Sequence, residues 1–217
     1  MEQPRIPVEV YAESTPNPNV MKFVANRRLV MHDGLEFRSL DVAQKAPLVH
    51  QLFQFPFVRE VFLSANFVAI AKFDTLDWLE ISQELRYFVR NWLSEGRPIL
   101  DPDFDETALT AGVDAVAGDS QPSGTADPRD VPVRDFAEFN EVEQQVAALL
   151  DEYVSPAVAQ DGGMIRLISV EGRTAKVLLQ GACSGCPSST ATLQQGVKNL
   201  LVKMMPTLVE EVEAVNG

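Results

Sequence analysis

The chain has 217 residues, 46% of them hydrophobic and 23% charged, with a formal charge of −13 and only two cysteines. That length holds one large or two small cores, and no apolar run approaches the roughly eighteen residues a membrane helix needs. An acidic chain without a basic stripe offers nothing to a phosphate backbone or an anionic lipid surface, so neither nucleic acid nor membrane is expected as a partner.

The opening residues, Met1 to Val10, lack the basic and apolar regions of a secretory signal and the Arg/Ser-rich character of a transit peptide, which predicts a cytoplasmic protein. Residues 8–14 alternate apolar and polar side chains as a strand does, and the run Thr15-Pro16-Asn17-Pro18-Asn19 marks a turn. Residues 21–25 and 28–31 read as returning strand material, and 35–40 as another alternating segment. Pro47 opens a short helix that Pro56 ends. Residues 58–62 and 67–73 suit a hairpin, and Asp77 is placed to cap a helix carrying Trp78, Ile81, Leu85, Phe88, Val89 and Trp92 up to Gly96. A sheet packed by two helices follows, an α+β domain over residues 1–100. Nothing in it reads as catalytic: His32 and His50 are taken as packing or surface residues, the tryptophans as core, and 15–19 as a structural turn.

Between residues 101 and 135 the periodicity fails and the composition turns acidic and rich in Pro, Gly and Ser, the signature of a flexible linker. The second domain, 136–217, opens with a helix whose apolar stripe runs from Phe136 through Val146 and Leu150 to Val154, opposed by Glu138, Glu141, Glu143 and Asp151. After a turn at Asp161-Gly162-Gly163, residues 164–170 and 175–180 form a hairpin; a helix starts at Pro187, and 208–215 is a last strand. The fold class is therefore two small α+β domains joined by an acidic linker.

Both cysteines lie where the second hairpin strand meets that helix. Cys183-Ser184-Gly185-Cys186 allows both sulfurs to face one metal or each other, and a helix N-terminus favours thiolate over thiol. Spacing leaves three readings open. A redox disulfide uses such a low thiolate pKa, but the turn follows an antiparallel hairpin rather than a parallel β-α-β unit. A structural zinc site or an iron–sulfur cluster each wants four ligands, and one chain holds two cysteines, so either metal needs two chains.

The block Pro-Ala-Val-Ala-Gln-Asp-Gly-Gly (156–163) with Leu-Gln-Gly-Ala-Cys-Ser-Gly-Cys-Pro-Ser-Ser-Thr-Ala-Thr-Leu (179–193) resembles the C-terminal domain of NifU-like, or Nfu, proteins. Thr-Pro-Asn-Pro-Asn-Val-Met-Lys-Phe (15–23), with Pro-Leu-Val-His-Gln-Leu-Phe (47–53), resembles the N-terminal domain of mitochondrial-type Nfu proteins. The resemblance implies an iron–sulfur cluster carrier or scaffold rather than an enzyme, with Cys183 and Cys186 as ligands. It implies a 4Fe-4S cluster shared by a homodimer, a 2Fe-2S form also being conceivable, delivered to apo iron–sulfur clients alongside assembly factors. Thiol–disulfide exchange by the same pair is the alternative. Gly181, Ser184, Gly185 and Pro187 are then expected to shape the turn, and Ser188, Ser189 and Thr190 to cap the helix or bond to sulfur.

Overall fold

The computed structural model describes residues 7–31, 34–105, 134, 136–184 and 187–215. The chain separates into two compact units, 1–109 and 110–217, each α+β.

The first unit is a five-stranded antiparallel sheet in the order β1-β2-β5-β4-β3. Its strands are β1 (Val10–Ser14), β2 (Val20–Ala25), β3 (Leu35–Phe37), β4 (Val58–Ser64) and β5 (Phe67–Lys72), with helices α1 (Pro47–Leu52) and α2 (Trp78–Ser94). Phe23, Phe37, Leu63 and Ile70 from the sheet meet Leu48, Leu52, Leu85 and Leu93 from the helices, all fully enclosed. Alternation explains which strand residues go inward: Val68 and Ile70 join this core while Phe67 and Ala69 take the other face.

The Thr15–Asn19 segment is a structural turn. Thr15 Oγ1 bonds the Asn17 and Val20 carbonyl oxygens, both at 2.9 Å, the Asn19 N–H donates to Asn17 Oδ1, and Trp78 Nε1 donates to Pro18 O at 2.8 Å. Trp92 lies in the core with its own N–H on Pro98 O. Asp77 does occupy the cap position of α2, but its side chain makes no capping bond. Residues 28–31, read as strand material, form none. Leu29 and Val30 instead donate their N–H groups to Ala65 O at the β4–β5 turn, where Ala65 takes a left-handed φ of 34°. Likewise α1 stops at Leu52, short of Pro56.

The stretch 101–105, expected to belong to the linker, lies against the first unit. Asp101 N–H donates to Lys45 O, Lys45 pairs with Asp103 at 2.8 Å, and the Phe104 ring sits 6.1 Å from that of Phe37. The remainder of the expected linker, apart from Arg134, lies outside the described residues, as does His32.

In the second unit a short 3-10 turn (Phe136–Glu138) precedes α3 (Glu141–Tyr153) and α4 (Ser155–Gln160); β6 (Gly163–Glu171), β7 (Thr174–Gly181), α5 (Pro187–Met204) and β8 (Glu211–Val215) follow. The first helix thus starts five residues later than its apolar stripe suggests, because Asn140 caps it. Asn140 Oδ1 accepts from Val142 and Glu143 N–H, and the Glu143 side chain reaches back to Asn140 N–H, a complete capping box. The sheet order is β6-β7-β8, with β6–β7 antiparallel and β7–β8 parallel. Helix α5 is therefore the crossover of a β-α-β unit. That corrects the expectation of a cysteine turn outside such a unit: register with β8, a nonlocal property, decides it.

Glu143 is a second correction. Expected on the polar face of its helix, it is 3% exposed. Its carboxylate accepts from Arg134 through both oxygens (3.0 and 3.2 Å), from Asn140 N–H, and from Val170 N–H just past a bulge in β6. Burial pushes this carboxyl's pKa up, but the Arg134 guanidinium and the two backbone donors outweigh it and hold the value below the usual range.

Candidate functional site

Strand β7 ends on Gly181, which takes a φ of 66°, open to glycine at little steric cost. The chain then turns through Ala182, Cys183 and Ser184 before α5 begins at Pro187. The turn is pinned from three sides. Ser184 donates to Gly181 O through its N–H (3.1 Å) and its hydroxyl (2.8 Å), Ala182 N–H donates to Gly162 O at 3.1 Å, and buried Thr190, one turn into α5, donates its hydroxyl to Cys183 O at 3.2 Å. Thr190 thus ties the helix to the cysteine's own carbonyl, a role the sequence left among several. Gly185 and Cys186 lie outside the described residues.

Cys183 is a free thiol, 7% exposed, and part of the apolar core. What lets it lie there is Gly163, the first residue of β6. A methyl group at Gly163 would stand 2.7 Å from Cys183 Sγ, 2.7 Å from Gln180 O and 3.0 Å from Cys183 Cβ. The sulfur rests on bare backbone, in a space any other residue would fill. Sequence reasoning saw Gly163 only as part of a turn. The Gly-Gly pair of the 156–163 block was the available signal, but the contact spans twenty residues and depends on the β6–β7 register, which pairs Gly163 with Gly181.

The electrostatics differ from the expectation of a stabilised thiolate. Burial, with a smaller contribution from the Asp161 carboxylate, pushes the Cys183 thiol up to about 12. Burial and the neighbouring carboxylate both disfavour the anion, so at neutral pH the group is a neutral S–H. Among the described residues no group of three or more His, Cys, Asp or Glu side chains gathers as a metal site, and His50 sits half-buried on α1 in the other unit.

Two family models match the chain. Residues 10–96 match "Scaffold protein Nfu/NifU N terminal" and 146–213 match "NifU-like domain". Among curated proteins, the chain is 31% identical over 207 residues to the Drosophila persimilis "NFU1 iron-sulfur cluster scaffold homolog, mitochondrial", covering 95% of this chain and 64% of that one. It is 30% identical to the Homo sapiens protein of the same description, covering 95% of this chain and 71% of that one. The chain thus spans somewhat under two thirds of the fly relative's length. A solved NifU-like protein from Saccharomyces cerevisiae is 18% identical, with a TM-score of 0.41 over 48% of this chain and 92% of its own. With both domain models in order along the sequence and a relative at this identity over most of its length, the chain belongs to the NifU-like (Nfu) family.

Proposed function

We propose that this chain carries an iron–sulfur cluster as cargo, a 4Fe-4S cluster bound by Cys183 and Cys186 of each of two chains, and passes it to apo iron–sulfur proteins. The observation that carries the reading is Cys183 seated on side-chain-free Gly163 at the β7–α5 junction of the NifU-like domain, in a chain whose relatives are named iron–sulfur cluster scaffolds. Iron–sulfur clusters take thiolates, four as a rule. The chain has two cysteines, so a full ligand set calls for a pair of chains around a twofold axis.

The chain's own residues then act as follows. Cys183 gives up its thiol proton as it takes on iron, so loading releases protons and is favoured by rising pH. Gly181, Ser184 and Thr190 hold the turn that presents it. With ligands divided between two chains, separation of the pair lets an acceptor's thiolates replace these, and the cargo moves without any bond within the protein breaking. The first unit, with a core of its own, serves to dock clients or assembly factors.

Thiol–disulfide exchange is the second reading, and the parallel β7–α5–β8 crossover favours it. Against it stands the Cys183 thiol at about 12, opposite to the lowered values such exchange uses. Anaerobic reconstitution with iron and sulfide decides. A carrier takes up about two irons per chain by ligand count, gains mass as a dimer on loading, and loses uptake in Cys183→Ala and Cys186→Ala. Normal loading by either variant sinks the ligand assignment. Insulin reduction by metal-free protein that depends on both cysteines establishes the alternative instead. Equal transfer rates to a client with and without residues 1–105 would refute the docking role.

A further inference from the structure

Among the described residues of the first unit, Tyr11, Met31, Leu40 and Tyr87 are exposed singly along the chain, and a group of exposed apolar side chains stands at the junction of β5 and α2. There Phe73 is 47% exposed, Leu76 40% and Leu79 92%, three large apolar side chains within seven consecutive residues. None of them belongs to the core or to the side chains packed on it. Helix α2 does not need them for stability: it buries Ile81, Leu85, Val89, Trp92 and Leu93. Leu79 precedes Ile81 by two positions, about 200° around the helix, and so stands on the far side. Its neighbour Trp78 is engaged with Pro18 O and the Lys72 ammonium, which leaves Leu79 with only water. Single exposed leucines are ordinary, whereas a cluster marks an interaction surface.

Within residues 73–80 the charged side chains are all acidic. Asp74, Asp77 and Glu80 are exposed among these residues. Lys72 is 5% exposed at its side chain and lies 3.9 Å from Asp74, so it adds little positive potential at the surface. That ring selects the occupant. A second copy of the same face would set carboxylates against carboxylates in a chain already at −13, and an anionic bilayer would be repelled in the same way. A surface that covers the three apolar groups and also satisfies the rim must carry cations at its edge.

We propose that residues 73–80 form a docking site for a partner protein presenting an apolar helix face flanked by lysine or arginine. This gives the docking role of the first unit a location and rests on that role. Its test involves no cluster, so its failure would leave the cargo reading standing, and failed loading would leave this surface untouched.

The experiment uses the full isotope-labelled chain and three short synthetic helical peptides: a leucine stripe flanked by lysines, the same stripe flanked by glutamates, and the lysine peptide with serine for leucine. Amide shifts are followed residue by residue at two salt concentrations. The expected result is saturable shifts centred on 73–80 with the lysine–leucine peptide alone, weakened by salt. Leu79→Ser should weaken binding by about tenfold or more, the consequence of one large apolar side chain left out of the contact. At 92% exposure that substitution leaves the fold intact, which its own amide spectrum checks. The proposal is overturned if the lysine–leucine peptide leaves 73–80 unmoved, if the lysine–serine or glutamate–leucine peptide binds there as well, or if Leu79→Ser binds like wild type. It is also overturned if shifts at 73–80 follow protein concentration or anionic vesicles without peptide, results that would assign the face to self-association or to lipid.

Discussion

An alanine at position 163 adds a single carbon where β6 meets the cysteine turn, and the structure fixes what that carbon meets. It would lie 2.7 Å from both Cys183 Sγ and Gln180 O and 3.0 Å from Cys183 Cβ, whereas unstrained contacts lie at about 3.5–4.0 Å. Gly163 is outside the left-handed region, so volume alone is at issue. The Gln180 carbonyl is held in β7, paired across to Met164, and has little room to yield; the cysteine turn must move. Overpacking of this kind costs about 1–3 kcal/mol, of which alanine's advantage over glycine in a strand returns roughly 0.5–1 kcal/mol. The expected net loss is about 1–2 kcal/mol in the second unit. Urea unfolding of the metal-free chain, followed by circular dichroism, reads it. Tryptophan fluorescence is the internal control, since Trp78 and Trp92 both belong to the first unit and their transition should not shift. Repeating the substitution on Cys183→Ala removes the sulfur but not the Gln180 contact, so the penalty should shrink by about 0.5 kcal/mol or more without vanishing. An equal penalty in both backgrounds, or none in either, would refute the claim that Gly163 is there to seat the sulfur.

Glu143→Gln leaves Arg134 without its charge partner and should cost the second unit about 1–3 kcal/mol by urea unfolding. Because the folded carboxyl titrates below its unfolded value, its contribution is present above the ordinary carboxylate range and is lost as pH falls through the folded value; the variant should show a shallower loss of stability on acidification below about pH 4.5. Thr190→Val keeps the shape but removes the hydroxyl that bonds Cys183 O, with an expected loss of about 1 kcal/mol in the same assay. Iodoacetamide at pH 8 should alkylate Cys183 in the folded metal-free chain far more slowly than in urea, read by peptide mass mapping, since a thiol at about 12 offers almost no thiolate; comparable rates would contradict the buried thiol.

Much of this architecture is legible locally. The stripe from Ile81 to Trp92 identifies α2, the 58–62 and 67–73 runs identify β4 and β5, and Pro187 marks the start of α5. Local pattern fails where a distant partner decides. A charged residue on an amphipathic helix reads as exposed, and only Arg134 and the β6 bulge take Glu143 inside. The Asn140-x-x-Glu143 spacing of a capping box was nonetheless there to be read. Cys183 shows the same limit in its chemistry. A helix N-terminus argues for thiolate, but the strength of desolvation depends on how closely β6 covers the sulfur, which is a tertiary quantity.

The Arg134–Glu143–Val170 knot also stands apart from the cysteine turn. Gly163, beneath the sulfur, and Val170, whose N–H closes the knot, belong to one strand, seven residues and thus about 23 Å apart at the usual rise. Arg134 is therefore held near one end of β6 while the Cys183 thiol lies at the other. A change of side chain at the Arg134–Glu143–Val170 knot therefore acts at the end of β6 remote from the turn that presents the cysteine.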